Sequence, residues 1–302
     1  MVCCSVAERV EEILCEMLKN IPKETVGIVL HLSRLAYQGF FDWYCHRERN
    51  DIFLSKKIWK EPKIIFTESD LIQCDIEVTS DFDGFGLLKA TPTHEVLTDI
   101  NTYSFNHLTI QEFLCAVYIS LRSQQEQLRL LSEHFDEYPN VFTFICGLTG
   151  LESSEMFQFM YSKLRATTGT VFGRCDRSKL TSRSVSRGDP DVITAMRCIN
   201  ESKQSSGPHQ SVSPFTLDLD GNTLLPYDCV CVSNILSRYP VLVLEMMGCY
   251  IGNKGAELLV KHYPYKNLTG QLLEELYLDD NDLTIEGMEY VRKIVRTSEP
   301  HY

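Results

Sequence analysis

Apolar residues recur at three- and four-residue intervals over most of positions 1–205, which predicts a largely helical N-terminal portion. Val6, Val10, Ile13, Leu14, Met17 and Leu18, with Glu and Lys between them, predict an amphipathic helix ending near Ile21–Pro22. A second helix is predicted from about Lys23 to Phe40, where Val26, Val29, Leu30, Leu32, Leu35 and Ala36 leave little polar surface. Such a helix belongs inside a core. Residues 41–66 are charged and irregular until Ile64-Ile65-Phe66, which reads as a strand. Thr67 then caps a short helix, with Phe66 and Leu71 placed as a hydrophobic staple. Phe85, Leu87 and Leu88, and later Tyr103 and Phe105, predict two short strands of a hairpin or wing.

Leu108-Thr109-Ile110-Gln111-Glu112-Phe113 carries a capping box, with Thr109 at the cap, Glu112 at N3, and Leu108 and Phe113 as its staple. A helix to about Arg122 follows, then helices near 124–137, 139–149 and 153–165. The stretch 166–188 lacks periodicity and reads as a flexible loop; 165–203 holds eight Lys/Arg against four Asp/Glu. Asp189-Pro190-Asp191 restarts a helix, with a cap, a proline at N1 and an acid at the positive end of the dipole.

The last ninety residues repeat the pattern L-x-x-L-x-L-x-x-N/C-x-L of leucine-rich repeats. One copy is complete: Leu273, Leu276, Leu278, Asn281 and Leu283. Another reads Val241, Leu244, Met246, Cys249 and Ile251, and the first reads Leu217, Leu219, Asn222 and Leu224. Helical stretches near 226–238, 253–262 and 284–296 lie between and after the strands. Leucines alternating along each strand would point into a stacked core, while the Asn or Cys bonds backbone where the chain turns away. The residues between them then face a concave surface: Asp218, Asp220, Glu245, Met247, Glu275, Tyr277 and Asp279. Five of these seven are carboxylates, and 213–302 holds 13 Asp/Glu against 7 Lys/Arg. A basic protein partner is the expectation.

Composition narrows the classes. The net charge of −12 disfavours nucleic acid and anionic membrane as bulk partners. No apolar run has the roughly 18 residues of a membrane helix. Acids at Glu8, Glu11, Glu12 and Glu16 break a secretory signal pattern, so the chain reads as soluble and cytoplasmic. The twelve cysteines have no C-x-x-C spacing and read as buried thiols, with Cys3–Cys4 a candidate lipidation site. The eight histidines form no H-x-x-x-H pair and no G-x-S-x-G elbow is present, so no catalytic or metal residue is expected.

Four segments, in order, carry a resemblance. Leu32-Ser33-Arg34-Leu35-Ala36-Tyr37-Gln38-Gly39 is similar to the L-x-x-L-A-x-x-G helix opening the winged-helix domain of NACHT–leucine-rich-repeat (NLR) receptors. Phe66-Thr67-Glu68-Ser69-Asp70-Leu71 resembles that domain's F-[ST]-E-x-D-L. Tyr103–Ala116 resembles its closing F-x-H-L-[ST]-x-Q-E-F-x-A-A segment, and Ala195–Glu201 the A-L-x-C-L-x-E helix before the repeats. The resemblance implies a mixed α/β chain: a helical segment and winged helix over 1–122, a second helical domain over 123–205, and about three leucine-rich repeats over 213–302. It implies a non-catalytic, cytosolic innate-immune module whose repeats meet a partner, whose helical part restrains or transmits, and which takes part in an oligomeric signalling assembly.

In that family the histidine of F-x-H-L contacts ADP phosphate; His107 holds the matching position here. No G-x-x-x-x-G-K-[ST] phosphate loop is present, so the chain is expected to begin where an ATPase core would have ended and to need no cofactor of its own. ADP or ATP would enter only with a separate NACHT domain; otherwise His107 packs. The helix opening Glu68-Ser69-Asp70 repels DNA phosphate. Two alternatives stay open: a signalling ATPase completed by a separate NACHT domain, and a freestanding repeat inhibitor or adaptor clamping a basic protein.

Overall fold

The computed structural model describes residues 23–42, 62–77, 86–95, 98–149, 154–165, 189–202, 213–262 and 273–296. The helix expected over Val6–Leu18, the Cys3–Cys4 pair and the 166–188 loop lie outside the described residues. The chain divides into two compact units, Met1–Thr149 and Gly150–Tyr302. Their boundary falls inside the stretch 123–205 read from the sequence as one helical domain.

In the first unit, α1 (Lys23–Tyr37) runs directly into one π-helical turn, Gln38–Asp42. Strand β1 (Phe66–Thr67) leads into α2 (Glu68–Gln73), and β2 (Leu88–Glu95) and β3 (Thr98–Phe105) form an antiparallel hairpin. The sheet order is β1-β3-β2, with Phe66 opposite Tyr103. Helices α3 (Leu108–Ser120), α4 (Gln124–His134) and α5 (Pro139–Thr149) follow. Leu114, Cys115, Ala116, Val117 and Ile119 are all buried, so α3 is apolar around much of its circumference and packs on both α1 and α5.

The expected cap at Thr67 is present. Its hydroxyl accepts from the Asp70 N–H, Asp70 accepts from the Thr67 N–H at 2.7 Å, and Phe66 and Leu71 are buried beside it. Ile64 and Ile65, expected in the strand, are outside it and more than half exposed. The second expected capping box is a correction. Helix α3 is capped by His107, not Thr109: the ring Nδ1 accepts from the Thr109 N–H at 3.1 Å. His107 has extended backbone, so its ring reaches two residues on and Leu108 enters the helix. Glu112 then turns away from the cap and accepts from Asn140 Nδ2 at 3.0 Å, while Leu108 is left exposed.

The π-helical turn brings backbone against backbone. Gly39 O accepts from Lys63 N at 2.9 Å, and the buried Gln111 donates to Lys63 O at 2.9 Å. A Cβ on Gly39 would lie 2.7 Å from Gln111 Nε2, 2.8 Å from Lys63 O and 2.9 Å from Phe66 Cζ. The glycine here is a matter of space.

In the second unit, α6 (Ser154–Arg165) and α7 (Pro190–Glu201) precede three strand–turn–helix units. Asp189 caps α7 and Pro190 opens it, as expected. The units are β4 (Phe215–Asp218) with α8 (Pro226–Arg238), β5 (Val241–Glu245) with α9 (Gly252–His262), and β6 (Glu275–Tyr277) with α10 (Ile285–Arg296). The strands form one parallel sheet in the order β4-β5-β6, with Leu217, Leu244 and Leu276 in register. Beyond the strands the pairing continues: Leu219 N donates to Glu245 O, and Met246 N to Tyr277 O. Leu217, Leu219, Leu244 and Met246 are completely buried, so one face of the sheet is core. Tyr161 of α6 packs edge-on against Phe215 and donates to Ser213 O, placing α6 beside β4.

The turn after each strand needs a left-handed residue. Gly221 (φ 70°) and Gly248 (φ 65°) supply it in the first two units, but Asp280 (φ 55°) holds the matching position in the third. Asp280→Gly is therefore expected to stabilise the chain by about 1 kcal/mol, read from equilibrium urea unfolding. An unchanged midpoint would show that the Asp280 carboxylate already recovers the backbone cost.

Candidate functional site

Three strands in register place the seven residues singled out in the sequence on one side of the sheet. Asp218, Glu245 and Tyr277 form one row across it. Asp220, Met247 and Asp279 form the row beyond, at the strand ends, and Glu275 stands in the row before, opposite Val243. Glu275 and Asp279 are exposed and the other five are half-buried. The carboxylate oxygens of Asp218, Asp220 and Glu245 all lie within 4.8 Å of one another. Asp220 accepts from Met247 N at 2.7 Å, Asp218 accepts from Asp220 N at 3.1 Å, and the Tyr277 hydroxyl donates to Glu275 at 2.6 Å. These bonds fix Asp218, Asp220 and Glu275 on the sheet. Chemically the arrangement suits a hard cation or an ammonium group, which can meet several oxygens together.

Behind this face runs a ladder of polar side chains. Asn222 Nδ2 donates to Leu219 O at 3.1 Å; Cys249 Sγ donates to the same carbonyl at 3.0 Å. Asn281 Nδ2 reaches Leu278 O at 3.0 Å and also Met246 O, in the preceding unit. Burial pushes the Cys249 thiol up to about 12, with the Asp220 and Asp218 carboxylates adding to it. It therefore stays a neutral donor in the turn, with no thiolate for nucleophilic chemistry. Burial does the same to Cys229 and Cys231, each pushed up to about 12.

His107, the residue matched to a phosphate contact, is exposed at the N-terminus of α3. Its Nδ1 is engaged by the Thr109 N–H, which leaves Nε2 for an external partner. Half-buried Glu112, five residues on, has its carboxyl raised by burial against the opposing pull of Asn140 and His107.

Sequence reasoning missed the most deeply buried charged pair among the described residues. Arg197 of α7 grips Asp228 of α8 with both ends of its guanidinium, Nε to Oδ1 at 2.7 Å and Nη2 to Oδ2 at 3.0 Å. Asp228 is completely buried and also accepts from Leu225 N at 2.8 Å, closing the helix end. Around it, Tyr227 donates to Glu201 and Asn200 donates to Tyr227. The repeat alignment held the signal. Asp228 stands four residues after Leu224, where the later copies have Gly255 after Ile251 and Gly287 after Leu283. No helix among the described residues is long and apolar enough to cross a membrane. No protein-family model matches the chain, and a search of curated proteins finds no match.

Proposed function

We propose that the chain is a non-catalytic binding and regulatory module of the NLR type, acting in the cytoplasm. Its last three strand–turn–helix units serve as leucine-rich repeats that carry the partner surface. The helical part and winged-helix hairpin restrain or transmit the bound state, so the output is a shift between closed and engaged forms. The observation that carries this reading is the register of Leu217, Leu244 and Leu276, which sets Asp218 beside Glu245 on the solvent side of the same sheet. An array of neighbouring carboxylates favours a basic protein surface and makes its capture salt-dependent. Reversing charge at Asp218, Glu245 and Asp279 together is expected to abolish capture of a basic protein partner; unchanged capture would remove the sheet face from the account.

Nucleotide binding separates this reading from the ATPase alternative. Purified full chain incubated with labelled ADP or ATP is expected to retain neither and to release no phosphate, because the phosphate-cradling loop is absent from its residues. Tight binding that His107→Ala weakens would overturn the proposal in favour of a nucleotide-handling protein.

A further inference from the structure

The second unit carries exposed large apolar side chains at one place only among the described residues. Leu225 (56 % exposed), Tyr227, Tyr250 (63 %), Ile285 (84 %) and Met288 all lie between a strand's end and the first turns of the helix that follows. The loops carrying them are held in register, with Leu224 N on Cys249 O at 3.1 Å and Gly252 N on Asn281 O at 3.0 Å. Leu225, Tyr250 and Ile285 therefore sit along one rim, at the carboxyl ends of the three parallel strands. The described helix-to-strand return, at Tyr239–Pro240, is at the opposite end, where Pro240 O accepts from Phe215 N.

Two properties distinguish this rim from ordinary surface. Among the described residues its exposed charges are nearly all acidic: Asp280, Asp282 and Glu286, against Lys254, which is already paired with Glu257 at 2.6 Å. Tyr250 also holds left-handed backbone (φ 54°), an unfavourable setting for a bulky residue, yet its ring faces solvent. Fold stability alone would favour glycine or asparagine there.

We infer that this rim docks a basic amphipathic segment of a protein partner. Its apolar side chains rest on Leu225, Tyr250 and Ile285, and its Lys or Arg residues stand beside Asp280, Asp282 and Glu286. Charge complementarity selects the partner's sign, and the row of anchors selects an apolar stripe over a uniformly basic chain. The rim is separate from the solvent face of the sheet, so the inference does not rest on that face binding anything.

The test uses the full chain and two synthetic Leu/Lys peptides of identical composition, one arranged as an amphipathic helix and one scrambled. The amphipathic peptide is expected to bind and to raise amide-exchange protection over 222–227, 249–253 and 282–288. Tyr250→Gly is expected to weaken it by about tenfold or more while raising the thermal midpoint, since it removes both an anchor and a backbone strain. Ile285→Ser is expected to weaken it similarly with an unchanged midpoint, and Asp218→Lys with Glu245→Lys to leave it within about twofold. Equal binding of the scrambled peptide, or Tyr250→Gly gaining stability at unchanged affinity, would overturn the inference. So would loss of binding through the sheet-face variant alone, or rim protection already complete in the free chain.

Discussion

Asp228→Ala is expected to destabilise the second unit by about 3 kcal/mol, because one substitution removes a helix cap and strands a cation. Asp228 satisfies Leu225 N and both ends of the Arg197 guanidinium, and has no contact with water itself. The value belongs at the lower end for a broken buried pair, since Arg197 keeps 27 % of its side-chain surface exposed and water can recover part of the loss. Urea unfolding measures the effect, and a second variant separates its two causes. Arg197→Met combined with Asp228→Leu leaves no charge behind, so it is expected to recover more than half of the loss, the remainder being the cap. A loss below about 1 kcal/mol for Asp228→Ala would show that solvent screens the pair and that the α7–α8 contact is held by its apolar residues instead.

Gly39→Val is expected to cost the first unit about 3 kcal/mol, from overpacking rather than from backbone preference. The atoms that a branched side chain would meet are not free to retreat. Lys63 O is backbone and is bonded to Gln111, Gln111 is 1 % exposed, and the Phe66 ring is 1 % exposed and edge-on to Phe105 at 5.8 Å. Movement of any of them disturbs the join between the π-helical turn and the strand that opens the hairpin. Thermal unfolding followed by near-ultraviolet dichroism of the aromatic side chains gives the loss directly. A shift under about 1 kcal/mol would mean that the π-helical turn relaxes into a regular α-turn and moves Gly39 away.

The features legible in the sequence were those set by neighbours along the chain. The Thr67 cap, the Asp189-Pro190 helix start and the helices after each strand depend on spacings of two to four residues, and the structure has them where the spacing put them. The strand register was legible because the leucine pattern repeats and alternation allows only one set of leucines to be buried. Errors came where two local solutions competed. At the head of α3, Thr109 and His107 can each cap a helix, and Asn140, 28 residues beyond Glu112, draws away the acid that the Thr109 box needed. The Arg197–Asp228 pair spans 31 residues and joins helices separated by a strand and an intervening segment, so no local pattern announces it. Its only trace is a carboxylate where the sister copies have glycine. The same holds for the rim: Tyr250 is unremarkable in the linear pattern and becomes conspicuous only once its φ and its exposure are known.

The polar ladder behind the sheet has a consequence for how such a chain can change length. Asn222 and Asn281 close carbonyls of their own turns, and Cys249 and Asn281 reach back to the turn before. Duplicating or deleting a whole strand–turn–helix module would hand every donor an equivalent acceptor. Gaining or losing a single residue within a turn would leave a buried donor facing the wrong atom and rotate the leucines into solvent. Copying by entire modules is thus the cheap route for growth or contraction in this half of the molecule, and one-residue drift is the costly one.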